Sequence, residues 1–358
     1  MRFHYDTSYF DATRLLRYGR DRLAYGALLL VLLAAPFVLP RFYVGEVTYL
    51  FILSIASLGL MVLTGFTGQV SLGHAAFLAI GAYVQAWLVT RAVPFPVSLV
   101  AAGFAAGLIG LAIGLPAIRV SGLYLAMVTL AFSIVVEHVL GRWASVTGGY
   151  SGIAVPNPSL FGGDLGDPRS LYYICLATLV VVLLGLVNLL GGRTGRAFAG
   201  VRDSEAAASA LGIWIAGYKV LAFAISAAIS GLAGALMAHK VQYLTPEAFG
   251  LILSMELVLM VVIGGLGSLR GAILGAILIG LLPTAISKLK PLLPQALAVQ
   301  FGLETFLFGF ILAIFVLFEP GGINARWIKL RSLFDTFPLY RRDTFRRSRT
   351  YMKSERYR

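Results

Sequence analysis

Charge is scarce in this chain. Asp, Glu, Lys and Arg make up 13% of its 358 residues, against roughly 25% in a soluble globular protein. With apolar residues at 59%, there is too little polar surface to coat a water-soluble body. Cysteine is nearly absent: Cys175 stands alone inside an apolar run, so it forms no intrachain disulfide and says nothing of the redox compartment. The histidines His4, His74, His138 and His239 are scattered and show no nucleophile–base or ligand spacing. That disfavours an intramembrane enzyme, and no catalytic or metal residue is assigned. The phosphate-cradling pattern Gly-x-x-x-x-Gly-Lys-Ser/Thr is also missing. Energy for any work must come from another subunit or an ion gradient, and no cofactor is expected in this chain.

What is present is segmentation. Nearly uncharged runs at 24–39, 47–63, 97–115, 171–190 and 306–318 approach the roughly 20 residues a helix needs to cross about 30 Å of hydrocarbon. The pattern predicts an all-α polytopic membrane protein of about ten transmembrane helices. They fall at 23–39, 47–64, 72–91, 97–116, 123–140, 171–190, 219–238, 250–266, 271–286 and 304–319. Gly, Pro and polar residues interrupt the third, eighth and ninth, so one of them could be re-entrant. The formal charge of +13 is clustered: Arg14, Arg17, Arg20 and Arg22, then Arg193, Arg196 and Arg202, and most densely 326–358. Ten spans put all three clusters on one side, as expected when Lys and Arg gather on the cytoplasmic face. The N and C termini are then cytoplasmic. The clusters read as contacts to an anionic leaflet rather than to nucleic acid. No small-x-small cleavage site follows the first run, which predicts a retained helix rather than a signal peptide. The organisation expected is a basic N-terminus at 1–22, one transmembrane domain at 23–319 and a basic tail at 320–358, without an internal repeat.

Forty glycines predict close helix packing, with Gly103/Gly107, Gly110/Gly114 and Gly271/Gly275 as small-x-x-x-small pairs within one bundle. Two connections exceed what topology requires: 141–170, containing Thr147, Gly148, Gly149, Pro156 and Pro158, and 191–218 on the basic side. Within the latter, Asp203-Ser204-Glu205-Ala206-Ala207-Ala208-Ser209-Ala210-Leu211-Gly212 runs from polar cap through acidic first turn and alanines to a terminal glycine. It predicts a two-turn helix over 203–212, with Phe198, Val201, Ala208, Leu211 and Ile215 as a partly apolar face. Such a helix lies in the interface or docks into a soluble partner.

Residues 63–77, LTGFTGQVSLGHAAF, with Gly81-Ala82-Tyr83 after them, resemble the signature of LivM-type branched-chain amino acid permeases. Residues 115–119 (LPAIR), 123–132 (LYLAMVTLAF), the Thr147-Gly148-Gly149 loop and residues 263–268 (IGGLGS) match the same family in order and spacing. The resemblance covers roughly 45–320. It implies the membrane subunit of an ATP-binding-cassette importer in a bacterial cytoplasmic membrane. Its partners would be a homologous permease, two ATPase subunits that use the ATP, and an extracytoplasmic binding protein that selects an amino-acid substrate. It also implies that Asp203, Glu205, Ala206, Ala207, Ala208 and Gly212 belong to the coupling helix that meets the ATPase. In this sequence Glu205 precedes the alanines, whereas the family's spacing to the glycine starts at Ala206. For the substrate pathway, Gln69, Ser71 and His74 are polar groups beside glycines at a helix entrance, and serve equally well as local caps. Thr147, Gly148, Gly149 and the intramembrane Glu256 complete the pathway set. For Glu256 a carboxylate hydrogen-bonded inside the bundle is the simpler reading. Urea or short-chain amide permeases are the alternative within this class, and an ion-coupled secondary transporter using Glu256 is the alternative outside it.

Overall fold

The computed structural model describes residues 19–157, 159–160, 163–164, 167–289, 303–318 and 321–336. Most of the expected basic N-terminus (1–18), the 290–302 connection and the 337–358 part of the tail lie outside the described residues. The long helices are α1 (Gly19–Val38), α2 (Arg41–Leu60), α3 (Ala75–Val89), α4 (Phe95–Ala117), α5 (Leu123–Arg142) and α6 (Pro168–Gly191). A short pair follows, α7 (Arg193–Asp203) and α8 (Glu205–Ala210), then α9 (Ile215–Val241), α10 (Leu251–Gly264), α11 (Leu269–Leu289), α12 (Leu303–Phe318) and α13 (Gly322–Thr336). Among the described residues seven helical segments are long and apolar enough to cross a bilayer; α3 and the apolar part of α1 are shorter. The chain is an all-α polytopic membrane protein.

Prolines set several helix starts where no amide donor is needed: Pro40 precedes α2, Pro94 precedes α4 and Pro168 opens α6. Burial then sorts the helices. The apolar window of α2 with its extension is 83% buried and that of α9 67%, against 28% for α5 and α6. α2 and α9 are therefore the central helices. The exposed side of α4, with Val97, Val100, Phe104, Leu108, Leu111 and Leu115, is a face for lipid chains.

Glycine brings the central helices into backbone contact, as the small-residue pairs predicted. A Cβ on Gly81 of α3 would collide with the Gly231 carbonyl of α9, and one on Gly234 with the Leu78 carbonyl of α3. Gly103, Gly107, Gly110 and Gly114 seat α4 on α9, and Gly264, Gly271 and Gly275 join α10 to α11. The bundle has two polar ends. At one, β1 (Ile153–Ala154) pairs antiparallel with β4 (Tyr243–Leu244), in register Ile153 to Leu244. The Gln242 side chain there donates to Asn157 at 3.1 Å. A second small ribbon, β2 (Ser159–Leu160) with β3 (Gly163–Asp164), lies in the same connection. At the other end lie α7, α8 and the turns around Gly65 and Gly267.

Two expectations need correction. The third span is helical only from Ala75, and residues 68–74 are irregular; glycines at 65, 68 and 73 and the polar groups between them break it. The 203–212 helix is shorter, Glu205–Ala210, and a helix precedes it that charge and glycine content concealed. Within 320–358, expected as a basic tail, Gly322–Thr336 form α13, whose Gly322 packs on Gly265.

Candidate transport pathway and coupling segment

The interruption before α3 begins as a change of helix type. After Leu60 the chain widens into a π-helical turn, Met61–Phe66, a form that often marks functional sites. Thr67 Oγ1 then donates to the Leu63 carbonyl (2.6 Å), Gln69 Nε2 to Thr67 Oγ1 (3.0 Å), and the Gln69 amide to Leu63 O (3.1 Å). From there the chain runs inward. The Leu72 amide donates to Thr129 Oγ1 of α5 and the Ala75 amide to Ser254 Oγ of α10, each at 3.0 Å. A Cβ on Gly73 would strike the Thr129 carbonyl. At 15 residues, α3 spans only about 22 Å at 1.5 Å per residue, less than the hydrocarbon thickness. The irregular stretch makes up the rest inside protein, where such backbone is tolerated.

The structure brings Gln69, Ser71 and His74 together on this stretch, all buried. His74 Nε2 is 2.6 Å from Ser230 Oγ and 3.3 Å from Ser226 Oγ, near the middle of α9. Ser226 donates its own proton to the Gly59 carbonyl at 2.6 Å. Among the described residues, in either tautomer His74 Nδ1 has no hydrogen-bond partner, and neither do Gln69 Oε1 and Ser71 Oγ. An unpaired buried polar atom costs about 1–3 kcal/mol. Three on one loop give the bundle an internal polar site left unsatisfied among the described residues.

The other pathway residues are elsewhere. Thr147 ends a single helical turn, Ala144–Thr147. Its hydroxyl lies 2.6 Å from Leu140 O and 2.8 Å from Trp143 O, and accepts from the Gly149 amide at 3.2 Å. Gly148 and Gly149 both have positive φ, 73° and 64°. The motif is a satisfied turn at the opposite polar end. Glu256 is half-buried on α10 and has no hydrogen bond among the described residues. Ser254, two residues before it, holds the start of α3. Sequence reasoning missed Glu46 of α2, whose carboxylate accepts from Thr284 Oγ1 at 3.1 Å. It stands one residue before the expected span 47–64, where it looks like a boundary charge; the structure puts it inside α2.

In the segment expected to couple to the ATPase, Ser204 is the N-cap: its Oγ accepts from the Ala207 amide at 3.3 Å. Asp203 ends α7 and pairs with Arg202 at 3.0 Å. Glu205 Oε1 meets the buried Lys219 Nζ of α9 at 2.7 Å. Gly212 has φ 78°, and the bonds Ile213 N to Ala208 O (3.0 Å) and Gly212 N to Ser209 O (2.9 Å) complete a Schellman end. The supposed apolar face is divided. Phe198, Val201 and Ala208 are buried in the bundle, whereas Leu211 and the unanticipated Trp214 are 80% and 75% exposed. Ala206, Ala207 and Ala210 are exposed beside them. The segment thus presents a small, apolar, rigidly capped surface away from the bundle.

An interrupted span, an internal polar site and a capped helix pair projecting from one end define a membrane transport subunit rather than an anchor or a structural bundle. The chain belongs to the family described as the branched-chain amino acid transport system permease component, which matches residues 43–317. It is 35% identical to the high-affinity branched-chain amino acid transport system permease protein LivM of Escherichia coli K12, over 73% of this chain and 67% of that protein. It is 26% identical to LivH of the same organism, over 64% of this chain and 79% of LivH. It is also 26% identical to a probable LivM of Methanocaldococcus jannaschii, over 63% and 68%. No solved structure matches the chain.

Proposed function

We propose that this chain is the LivM-type half of an ATP-binding-cassette importer for branched-chain or similar amino acids, resident in a bacterial cytoplasmic membrane. In this reading ten spans place both termini and α7–α8 in the cytoplasm. A homologous permease completes the membrane pair, two ATPase subunits dock on α7–α8, and an extracytoplasmic binding protein delivers substrate beside the Thr147 turn. The observation that carries the reading is the capped, outward-facing α8 surface on a scaffold of this family. The sequence lacks a phosphate-cradling loop, so the surface is where ATP-driven motion would enter.

Gln69, Ser71 and His74 are the inner polar part of the pathway, and Glu256 with Glu46 its polar group nearer the binding-protein side. A zwitterion with an apolar side chain suits a mostly apolar conduit with few polar stops. The Thr147-Gly148-Gly149 turn, with its hydroxyl committed, serves as a rim rather than as a ligand.

The test is uptake by proteoliposomes holding the complete complex. ATP-dependent uptake of leucine, isoleucine or valine, with faint uptake of urea and short amides, is expected. Uptake by this chain alone, driven by an ion gradient and indifferent to ATP, overturns the reading. Within the complex, Gly212→Val forces a β-branched residue into positive φ, at a strain of about 1–3 kcal/mol, and Ala207→Asp puts a charge on the α8 surface. Both should insert normally yet lose ATPase copurification or substrate-stimulated hydrolysis. Normal transport in both would remove the docking role.

A further inference from the structure

We propose that Arg202 is a positioning residue of transport: its guanidinium ties the coupling segment to the interrupted loop before α3, so that displacement of α7–α8 reaches residues 65–74. The inference rests on the importer reading given above.

Arg202 stands at the end of α7, just before the break at Ser204. Its Nε donates to Asp203 Oδ1 at 3.0 Å, which orients the group, and its Nη1 donates to the Gly65 carbonyl at 3.2 Å. Gly65 lies in the last residues of the π-helical turn, where carbonyls lack intrahelical partners, and a cation there complements the helix end. A guanidinium makes the two contacts from separate nitrogens held at a fixed angle, whereas an ammonium carries its three donors on one atom and cannot reproduce that spacing. The surroundings are shaped for the side chain. A Cβ on Gly68 would lie 3.1 Å from Arg202 Cγ, and one on Gly267 3.1 Å from Nη1. Both glycines have positive φ, 72° and 78°. Arg202 thus passes between the turn leading to α3 and the turn joining α10 to α11.

A second tie runs in parallel. Glu205 of α8 holds Lys219, at the start of α9, and α9 carries the Ser226 and Ser230 hydroxyls that grip His74. The unpaired polar groups of Gln69 and Ser71 therefore lie between two points joined to the coupling segment, Gly65 through Arg202 and His74 through α9. The Asp203 pair is exposed, and pairs of that kind contribute little to stability. A role in holding the fold is the weaker account of Arg202.

The experiment compares parental, Arg202→Gln and Arg202→Lys complexes in proteoliposomes, reading ATPase copurification, ATP hydrolysis and uptake of radiolabelled leucine. Arg202→Gln should copurify the ATPase at parental yield and hydrolyse ATP at a near-parental rate. Uptake per ATP should fall about ten-fold, within the range typical of coupling between sites. Arg202→Lys should recover only part of it. Uptake and hydrolysis falling in equal proportion, both remaining parental, or loss of ATPase copurification each overturn the proposal. If the parental complex itself proves indifferent to ATP, the importer reading fails first. ATP-driven parental uptake with an unaltered ratio in Arg202→Gln removes the Arg202 link alone.

Discussion

Two glycine-rich polar stretches, 63–77 and 147–152, look alike in sequence and differ in what they leave undone. In the second, Thr147 Oγ1 is in contact with Leu140 O, Trp143 O and the Gly149 amide. In the first, Gln69 Oε1, Ser71 Oγ and His74 Nδ1 are buried without partners among the described residues. Composition marks both as places where backbone must bend. The hydrogen-bond inventory separates a structural turn from a site with unused capacity, because native interiors rarely leave buried polar atoms unpaired.

The largest effect that would sharpen this contrast is steric. Gly73→Val drives side-chain atoms into the Thr129 backbone, and a carbonyl in α5 cannot swing aside as a side chain could. Overpacking of this kind costs about 1–3 kcal/mol or more, so little folded protein should survive detergent extraction in a fluorescence size-exclusion assay. Gly185→Ala, which meets open space in α6, is the matched control and should behave as parental. Next comes Thr147→Ala. Losing its contacts should lower stability by about 1–3 kcal/mol, read as a lower melting temperature of the purified protein, while uptake per folded molecule stays parental. A selective uptake defect with unchanged melting would break the comparison by making Thr147 a pathway residue.

The smallest change in stability, and the most telling, belongs to Ser71→Ala. Removing an unpaired buried hydroxyl should leave stability unchanged or raise it by up to about 1 kcal/mol. Uptake should drop about ten-fold if that hydroxyl serves the substrate, roughly the worth of one hydrogen bond. Parental uptake would reduce the 63–77 loop to the same standing as the Thr147 turn. Glu256→Gln tests the other end of the pathway. The half-buried carboxylate makes no hydrogen bond that its amide could not replace, so melting should hold while leucine uptake falls.

The sequence shows most of the bundle plainly. Runs such as 97–115 and 171–190 are long, uncharged and bounded by proline or charge, and α4 and α6 follow them closely. The glycine pairs at 103–114 and 271–275 likewise predicted tight packing, although only coordinates could say that α4 meets α9. The end of α8 was legible because Gly212 marks a left-handed cap. α7 was hidden because Arg193, Arg196 and Arg202 swamp its small apolar face of Ala197, Phe198 and Val201, and its glycines suggest a loop. The unpaired atoms of Gln69, Ser71 and His74 could not be read at all. Satisfaction depends on groups far along the chain, Thr129, Ser226, Ser230 and Ser254, that no local pattern connects to them.

The glycine contacts also have a mechanical consequence. Where Gly81 meets Gly231 and Gly234 meets Leu78, backbone rests on backbone, with no layer of side chains to compress or to exchange rotamers. The same holds between α10 and α11 at Gly264, Gly271 and Gly275. A close-packed contact of this kind transmits strain instead of absorbing it. α3 and α9 are in effect one lever, and α10 and α11 another. Their direct link is slender, Ala75 N to Ser254 Oγ, but α2 packs on both: Ser226 Oγ of α9 donates to Gly59 O of α2, and Ser57 Oγ of α2 to Ala272 O of α11. Strain carried by either lever is therefore passed to α2, whose end leads through the π-helical turn into the buried polar loop.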